Sequence, residues 1–524
     1  MDRSPQRRRV EPPQRPHPAR RSGVVQRRRR VAFAVAALVV LALAAYGIYA
    51  MANRGNSSSA GNTGKTSTSV AGATTRTTGN NGSGSSQEGQ ATSGTGDTAT
   101  SAEGTTTEDT GPLSTDPESL KVQTSPAGAD LTVTLQDGTK VTGQAPLSQE
   151  IPGGRITISA SLEGYNTATR TVALEGTDAI KIWLDPAGQI YQSLVRFKCG
   201  KQPKQVLFTP DGKELWVSIL GGGDSGLEAY DPVTGKKLAS IYLGGHEGTE
   251  LTMTKDGKTI FVSQMATNTI WVVDRATRKV VRHFNCGGSY PKILLLSRDE
   301  KLLYSSNWKS SDVSEIDWTT GKVLRVIPVV NTPRGLYITP DSKYMYVAGF
   351  GKGELEKVDM ATGEGNVIYK TGGAFRHIAV DEKKNLLYVG EFHENAIYVV
   401  DLATDKVRKL ANTDQRPNTI ALSPDGKVLY VSDRGKDNPV TGYLTKGPEW
   451  GSVLAIDTAT GKLLDAIVGG NQCTGLAVSP DGTLLAFSDF LDYVIRVYRI
   501  PSYATLEAGN GGRAIAHLKD IVKQ

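Results

Sequence analysis

The sequence has few of the residues on which most metal and redox chemistry depends. Its 524 residues include only three cysteines and six histidines. The cysteines, Cys199, Cys286 and Cys473, are an odd number with no CxxC pair. This pattern excludes a clustered thiolate metal site and a disulfide-dependent scaffold. We expect buried free thiols, with a bridge between Cys199 and Cys473 as the alternative.

The chain also lacks the short motifs that identify common enzymes. It contains no serine nucleophile elbow, no glycine-rich phosphate loop and no CxxCH haem attachment sequence. We therefore predict no cofactor and assign no catalytic residue. An enzyme is less expected than a binding protein on these grounds.

Long apolar runs are absent with one exception, the 21 uncharged residues at 31–51. At about 1.5 Å per residue in a helix, this run would cross the roughly 30 Å core of a bilayer. Residues 1–30 contain eleven arginines, which predict a cytoplasmic tail by the positive-inside rule. The pattern predicts a single-pass membrane protein with its later domains outside the cytoplasm. A signal peptide cleaved near Ala50–Ala52 is the alternative.

Aromatic residues are missing from the next segment, in which 39 of the 65 residues at 53–117 are Gly, Ser or Thr. Such a composition cannot bury enough apolar surface to offset the conformational entropy lost on folding. We therefore predict a disordered linker at 52–117, acting as a stalk.

Strand patterning begins at residue 118. The sequence ADLTVTLQ at 129–136 precedes an Asp-Gly turn, and apolar residues alternate at 155–162. The markers SPAGA, GQAPL, PGG and GY, which begin at residues 125, 143, 152 and 164, resemble the PEGA domain, although Ala127 stands where that family has Glu. The resemblance implies a small β-sandwich over 118–186 with an adaptor role.

A tetrad of the type Thr/Ser-x-Asp-Gly recurs about every 42 residues from residue 209 onward. Each copy lies between two apolar runs, so each unit is predicted to be strand–turn–strand. A repeat of this length is typical of a β-propeller. The seven copies begin at residues 209, 254, 297, 339, 381 (DEKK), 423 and 479.

The second half of the repeat, with the pattern Asp-x-x-Thr-Gly-Lys, occurs only six times. The seventh blade therefore lacks an outer strand at the C-terminal end of the chain. The alternating sequence YQSLVRFK at 191–198 is predicted to supply it and to close the ring. Closure from both ends hides sheet edges that would otherwise promote aggregation.

The repeats resemble the YVTN family of seven-bladed propellers, whose signature strand here reads LYVS, LYVG or MYVA. The predicted fold is all-β: one transmembrane helix, a disordered stalk, a PEGA-like β-sandwich and a seven-bladed β-propeller. The propeller is expected over 187–505, followed by a C-terminal tail at 506–524. Propellers have many unrelated functions, so the resemblance implies no particular activity.

Aligning the repeats predicts which side chains share one face of the propeller. The first column is the position five residues before each tetrad, and it contains four cations and no acid. The second column follows the second strand and is mostly large and apolar. The first column reads Lys204, Thr249, Lys292, Arg334, Arg376, Asn418 and Thr474, and the second reads Leu220, Met265, Trp308, Phe350, Phe392, Arg434 and Phe490.

Carboxylates precede the second column at Glu391, Asp433 and Asp489. In one interpretation these acids pair with the cations of the first column, and the aromatic residues pack between blades. In the other, cations, acids and aromatic residues form a site for an anionic or sugar-like ligand. The longest insertion, at 434–450, would hang over this face and bring Tyr443 and Trp450 to it.

We predict a binding or scaffold protein that recognises a carbohydrate, a cell-wall polymer or a protein partner outside the cytoplasm. A lactonase-like or metal-dependent hydrolase is one alternative, with His377 and His393 as possible bases or metal ligands, although no metal-ligand spacing is present. Single-stranded nucleic acid is a less expected partner, because the positive charge is confined to the N-terminal tail and the remaining residues sum to −2.

Overall fold

The computed structural model describes residues 116–174, 178–223, 225–509 and 511–521. The predicted tail at 1–30, the apolar segment at 31–51 and nearly all of the predicted linker lie outside the described residues. In the part that is described, no helix is long and apolar enough to span a bilayer. The predicted fold class is corrected accordingly, and its transmembrane helix is not retained.

Residues 117–183 form the predicted sandwich of two sheets. One sheet has the strand order β4-β1-β7 and the other has the order β3-β2-β5-β6. Both sheets contribute to one core, in which Val122, Leu131 and Ile158 are fully buried. The strands are β1 Pro117–Ser125, β2 Asp130–Thr134, β3 Lys140–Gln144, β4 Leu147–Pro152, β5 Gly154–Ser161, β6 Ala168–Leu174 and β7 Asp178–Trp183.

The rest of the chain forms seven four-stranded antiparallel blades, each ordered from the channel outward. Blades 1 to 3 consist of β9 Pro203–Phe208, β10 Leu215–Ile219, β11 Leu227–Tyr230, β12 Lys237–Ile241, β13 Leu251–Met253, β14 Thr259–Gln264, β15 Thr269–Asp274, β16 Lys279–Asn285, β17 Pro291–Leu296, β18 Leu302–Asn307, β19 Asp312–Asp317 and β20 Lys322–Pro328. Blades 4 to 6 consist of β21 Pro333–Ile338, β22 Tyr344–Gly349, β23 Glu354–Asp359, β24 Gly365–Lys370, β25 Phe375–Asp381, β26 Leu386–Glu391, β27 Ala396–Asp401, β28 Lys406–Asn412, β29 Pro417–Leu422, β30 Val428–Asp433, β31 Ser452–Asp457 and β32 Leu463–Val468. Blade 7 consists of β33 Cys473–Val478, β34 Leu484–Asp489, β35 Val494–Arg499 and β8 Gln192–Lys198.

Blade 7 confirms the predicted closure of the ring. Its outer strand β8 precedes the first blade in the chain and pairs antiparallel with β35, with Val195 opposite Val497. Both valines belong to the core that blades 7 and 1 share. The N-terminal and C-terminal ends of the propeller are therefore held together by a full strand pairing.

The region predicted as a C-terminal tail at 506–524 contains most of two helices. These are α1 Tyr503–Ala508, capped by the Ser502 hydroxyl, and α2 Gly512–Ile521. Helix α2 packs on the outer strand of blade 6 and buries His517, whose Nε2 lies 2.9 Å from Asp414. The three cysteines are free thiols, as expected, with Cys286 and Cys473 buried.

The inner strands carry a β-bulge where they begin, because the pairing register shifts in six of the seven blades. In five blades a serine two residues before the second column accepts a hydrogen bond from a backbone N–H near the start of the inner strand, and in four of these blades the N–H lies at the bulge. The same hydroxyl donates to a backbone carbonyl of the next blade. We call this contact the serine relay; it consists of Ser218, Ser263, Ser306, Ser432 and Ser488.

Ring closure leads to a prediction for β8. Val195→Asp should lower the free energy of unfolding by at least about 3 kcal/mol, because it places a charge without a partner in an apolar core. Urea unfolding measures the change. Gln192→Asp is the control, because Gln192 lies on the same strand but is exposed. Equal stability of the two variants would show that β8 is not needed to close the ring.

Candidate functional site

Eight of the eleven residues predicted to form the channel mouth line one cavity of about 270 Å³. They come from both columns of the alignment and from five different blades. The other residues that line this mouth cavity are Leu220, Met265, Tyr290, Arg434, Asp437, Tyr443 and Thr474. The eight predicted residues are Lys204, Lys292, Arg334, Arg376, Trp308, Phe350, Phe392 and Phe490.

The bulge explains why the cations converge on the mouth. In a regular strand, neighbouring residues point to opposite faces. The register shift between Pro291 and Leu294 interrupts this alternation in blade 3. Lys292 consequently lines the mouth cavity, while Ile293 lines a second cavity of about 180 Å³ further along the channel. The same shift places Arg334 and Arg376 at the mouth in the next two blades.

The aromatic residues form an arc of touching rings around the mouth. Tyr290 stacks on Trp308 at 6.0 Å between ring centroids, and Trp308 meets Phe350 at 6.2 Å. Phe350 meets Phe392 at 5.5 Å. On the opposite side, Tyr443 lies 6.4 Å from Phe490. The rings therefore offer flat apolar surfaces on two sides of one small cavity.

Cations lie against these rings. The Lys292 amino group is 5.1 Å from the Trp308 centroid, and the Arg376 guanidinium is 5.1 Å from Phe392. Arg434, which stands in the second column, lies 4.9 Å from Tyr443. Cation–π attraction stabilises these contacts, but it neutralises no charge.

Few carboxylates balance this charge. Glu250 lies 3.7 Å from Arg334, and both side chains are 8% exposed. Asp437 forms ion pairs with Arg416 and Arg434 at the rim. Among the described residues, no carboxylate lies within ion-pair distance of the three remaining cations, Lys204, Lys292 and Arg376.

The pKa values reflect burial of like charges. Burial, followed by the neighbouring Arg376, lowers the pKa of Lys204 well below its ordinary value. The pKa of Lys292 and the pKa of Arg376 are also well below their ordinary values, in both cases because of burial first and the neighbouring Arg334 second. Burial, followed by Arg416, lowers the pKa of Arg434 to about 9. Without a ligand, the environment of the mouth cavity therefore disfavours the protonated forms of these lysine and arginine side chains.

The three predicted carboxylates do not line the mouth cavity, which corrects that part of the sequence prediction. Each ends the second strand of its blade one residue before the second column, so its side chain points to the opposite face. Glu391 accepts hydrogen bonds from the backbone of Ala374 and Glu394, and Asp489 pairs with Arg496. Asp433 is fully buried. The predicted pairing of these acids with the first-column cations is therefore also wrong.

The two predicted histidines lie in different places. His377 lines the channel cavity together with Glu250, and burial lowers its pKa to about 4, so it is neutral at physiological pH. His393 is exposed at the rim against Phe350 and Phe392. Within the described ranges, no three His, Cys, Asp or Glu side chains are grouped closely enough to hold a metal ion.

The insertion at 434–450 covers one side of the mouth. Tyr443, 45% exposed, reaches over Arg434 and Phe490. Trp450 does not line the cavity; its backbone N–H donates to the carbonyl of Ile521 at the end of helix α2. The base of this loop is therefore anchored by a helix that the sequence interpretation treated as a tail.

Sequence reasoning missed Glu250, Asp437 and Tyr290 as members of the site. Glu250 directly follows Thr249 of the first column and precedes strand β13, which begins at Leu251, so strand alternation does not predict where its side chain points. Asp437 and Tyr290 lie in loops, where the repeat alignment provides no register. Arg434 occupies the second column of the alignment, so its place at the mouth could have been predicted from the sequence.

Two family models match the chain. Residues 118–186 match the PEGA domain, and residues 257–472 match a YNCE-like β-propeller. These matches confirm the predicted combination of a PEGA domain with a propeller.

Two proteins are similar to parts of this chain. Antigen Lp49 of Leptospira interrogans serogroup Icterohaemorrhagiae serovar copenhageni (strain Fiocruz L1-130) is 55% identical over 74 residues, which cover 14% of this chain and 16% of the antigen. The structure of the Kuenenia stuttgartiensis hydrazine synthase has a TM-score of 0.50 at 19% identity and covers 58% of this chain and 97% of that one. At this identity the second likeness shows the fold alone. A propeller with an antigen among its relatives is consistent with a binding or scaffold role.

The Arg334–Glu250 pair leads to a prediction. Glu250→Gln should destabilise the protein by about 3 kcal/mol, because it leaves a buried guanidinium without its carboxylate among like charges. Thermal or urea unfolding measures the change. Glu382→Gln is the matched control, because Glu382 pairs with Arg298 but is 44% exposed, and an exposed pair contributes only about 1 kcal/mol or less. Equal effects would contradict the buried pair.

The lowered pKa values predict how stability depends on pH. In the unfolded chain a lysine returns to a pKa of about 10.4. Between its lower folded pKa and that value, the unfolded state binds more protons, so the free energy of unfolding should rise with pH. Lys292→Met should therefore be more stable than the parent at neutral pH. Its free energy of unfolding should also increase less than that of the parent when the pH is raised to about 10. Urea unfolding at several pH values tests this, with the exposed Lys309→Met as control. If the free energy of unfolding depends on pH in the same way in Lys292→Met and in the parent, the prediction is contradicted.

Proposed function

We propose that the propeller is a recognition module whose mouth cavity binds an acidic carbohydrate, either free or as the terminal unit of a cell-envelope polymer. The observation that supports this most directly is the set of three buried cations, Lys204, Lys292 and Arg376, that lack a carboxylate partner in the described structure. An extracytoplasmic location is part of the proposal.

Electrostatics favours an anion as the ligand. Buried cations without partners cost stability, and like charges near each other add to that cost. An anion that enters the cavity relieves both costs at once and forms charge-assisted hydrogen bonds with guanidinium groups. The protein is thus stabilised by its ligand through mass action. A neutral ligand would leave the repulsion between Lys292, Arg334 and Arg376 in place.

The aromatic arc favours a ligand with a flat, partly apolar face. A pyranose ring has C–H groups on one face and hydroxyl groups at its edge, which suits a wall of Trp308, Phe350 and Phe392. Hydroxyl groups can in turn bond to polar atoms such as the Thr474 side chain at the same cavity. Aromatic walls with a few placed polar groups are typical of small-molecule sites.

The dimensions favour a small unit. The mouth cavity of about 270 Å³ lies just below the roughly 300–1,000 Å³ that is common for small-molecule pockets. It can hold one sugar unit, and it is too confined for a strand of nucleic acid, which needs an extended groove with several stacking positions. The Leptospira relative is named as an antigen, which supports a role at a surface.

Arg376 provides the test of this proposal. Arg376→Gln should weaken binding of a uronic acid oligosaccharide by about tenfold or more, because one charge-assisted hydrogen bond contributes roughly 1.5–3 kcal/mol. Stability should be unchanged or improved, since a buried like charge is removed. Binding should also depend less on salt. Calorimetry measures the affinity, with a neutral oligosaccharide of equal length as the ligand control.

Arg408→Gln is the matched variant, because it removes the same charge from the exposed outer strand of the same blade. It should leave affinity and salt dependence as in the parent. If Arg408→Gln and Arg376→Gln reduce binding equally, the attraction is a general surface effect and the mouth is not the site. Absence of any binding by the parent protein to acidic oligosaccharides would refute the proposal.

A further inference from the structure

Lys292 has an unusual environment for a lysine side chain. It is 6% exposed, and its amino group contacts the Met265 thioether and faces the rings of Tyr290 and Trp308 at 5.4 and 5.1 Å. A thioether is a weak acceptor, whereas an ammonium group has three N–H donors to satisfy. In the described residues, no carboxylate lies within ion-pair distance of this nitrogen.

The charges around Lys292 also disfavour an ammonium. After burial itself, Arg334 is the largest influence that lowers its pKa, and Arg376 acts in the same direction. Glu250 and Glu247 oppose this shift but do not reverse it. A lysine that is desolvated or placed beside another cation keeps a larger share of free amine, and the free amine is the nucleophilic form.

We propose that Lys292 is a nucleophilic amine that captures the carbonyl group of a small anionic aldehyde or ketone bound in the mouth cavity. This inference rests on the proposed function, because the guanidinium groups that attract an acidic sugar would also hold the carboxylate of this ligand. The chemical class is a carboxylate next to an aldehyde or ketone, as in 2-oxo acids and in open-chain acidic sugars.

The reaction balances without an oxidant or a reductant. The lone pair of the Lys292 nitrogen attacks the carbonyl carbon, the carbonyl oxygen gains a proton, and the nitrogen loses one. The resulting carbinolamine loses its hydroxyl group and a further proton as water, which leaves a C=N bond. One amine and one carbonyl thus give one imine and one water.

The neighbouring groups suit this sequence of steps. Arg334 and Arg376 line the same cavity as the lysine, so a carboxylate bound by them keeps the adjoining carbonyl near the amine. The aromatic arc limits access of bulk water, which would otherwise favour hydrolysis of the imine. The cavity also stays open enough at the face of the propeller for a small ligand to enter, because Trp308 and Phe350 are only partly buried.

Reductive trapping tests this inference on the full-length protein. The protein is incubated with glyoxylate and sodium cyanoborohydride, and peptide mass spectrometry locates the carboxymethylated lysines. Lys292 should be labelled at least about tenfold faster than Lys309, because burial and the neighbouring Arg334 lower the pKa of Lys292 and leave a larger share of free amine. Lys309 is a matched reference, because it also faces Tyr290, at 4.1 Å, but is exposed.

Four controls separate the possible results. Lys292→Met should remove the preferred label, and Lys309→Met should leave it unchanged. Acetaldehyde, which has no carboxylate, should label Lys292 no faster than exposed lysines. Unfolding in urea before the reaction should abolish the preference.

Each outcome bears on either the amine or the cavity. Preferred labelling of Lys292 by glyoxylate supports the inference. Equal labelling of Lys292 and Lys309 overturns the inference. A fast-labelled site that is still present in Lys292→Met also overturns it, because the label then lies on another residue. If Lys292 is not labelled but glyoxylate competes with the uronic acid oligosaccharide, the amine is unreactive and the proposed function stands. If neither labelling nor competition occurs, glyoxylate does not enter the cavity and this inference fails, while the proposed function is decided by whether the parent protein binds the uronic acid oligosaccharide.

Discussion

The serine relay is the contact that fixes the backbone of two mouth cations, Lys292 and Arg334, against the preceding blade. A bulge at the start of an inner strand frees a backbone N–H that needs a partner, since a buried unpaired donor costs about 1–3 kcal/mol. Ser306 accepts the bond from Ile293 at 3.0 Å and donates to the carbonyl of Arg334 at 3.1 Å. Ser263 does the same for the carbonyl of Lys292 at 2.8 Å. One hydroxyl therefore satisfies the bulge and fixes the backbone of a first-column cation in the next blade.

A fixed backbone keeps the cations of the mouth close together despite their mutual repulsion. Flexible side chains on a loop would move apart to reduce repulsion, whereas Arg334 and Arg376 stand on inner strands that pair with the second strand of their own blades. Among the described residues, Glu250 pairs with Arg334, and Asp437 pairs with Arg434 at the rim. The free-energy cost of this repulsion is therefore confined to one cavity. Such a cost is common where a site is preorganised for a charged ligand.

Much of the fold and part of the site could be predicted from the repeats. The alignment identified the first-column cations and the aromatic residues of the second column, because each blade repeats the same backbone and so places equivalent positions on one face. It failed for Glu391 and Asp489, since strand alternation turns residues one position apart to opposite sides. It also failed for Glu250, because this residue precedes the short strand β13 and strand alternation does not extend to it.

The sequence by itself determined the seven-fold repeat, the PEGA domain and the strand that closes the ring, because turn residues and apolar alternation are local properties that each segment carries. Only the tertiary structure decided which charges meet. Glu250 and Arg334 are distant in the chain and come together through the ring, and helix α2 gains its position by packing on blade 6. Pairing of charges and burial of amines depend on distances across blades, and such distances are set by the packing of the whole ring.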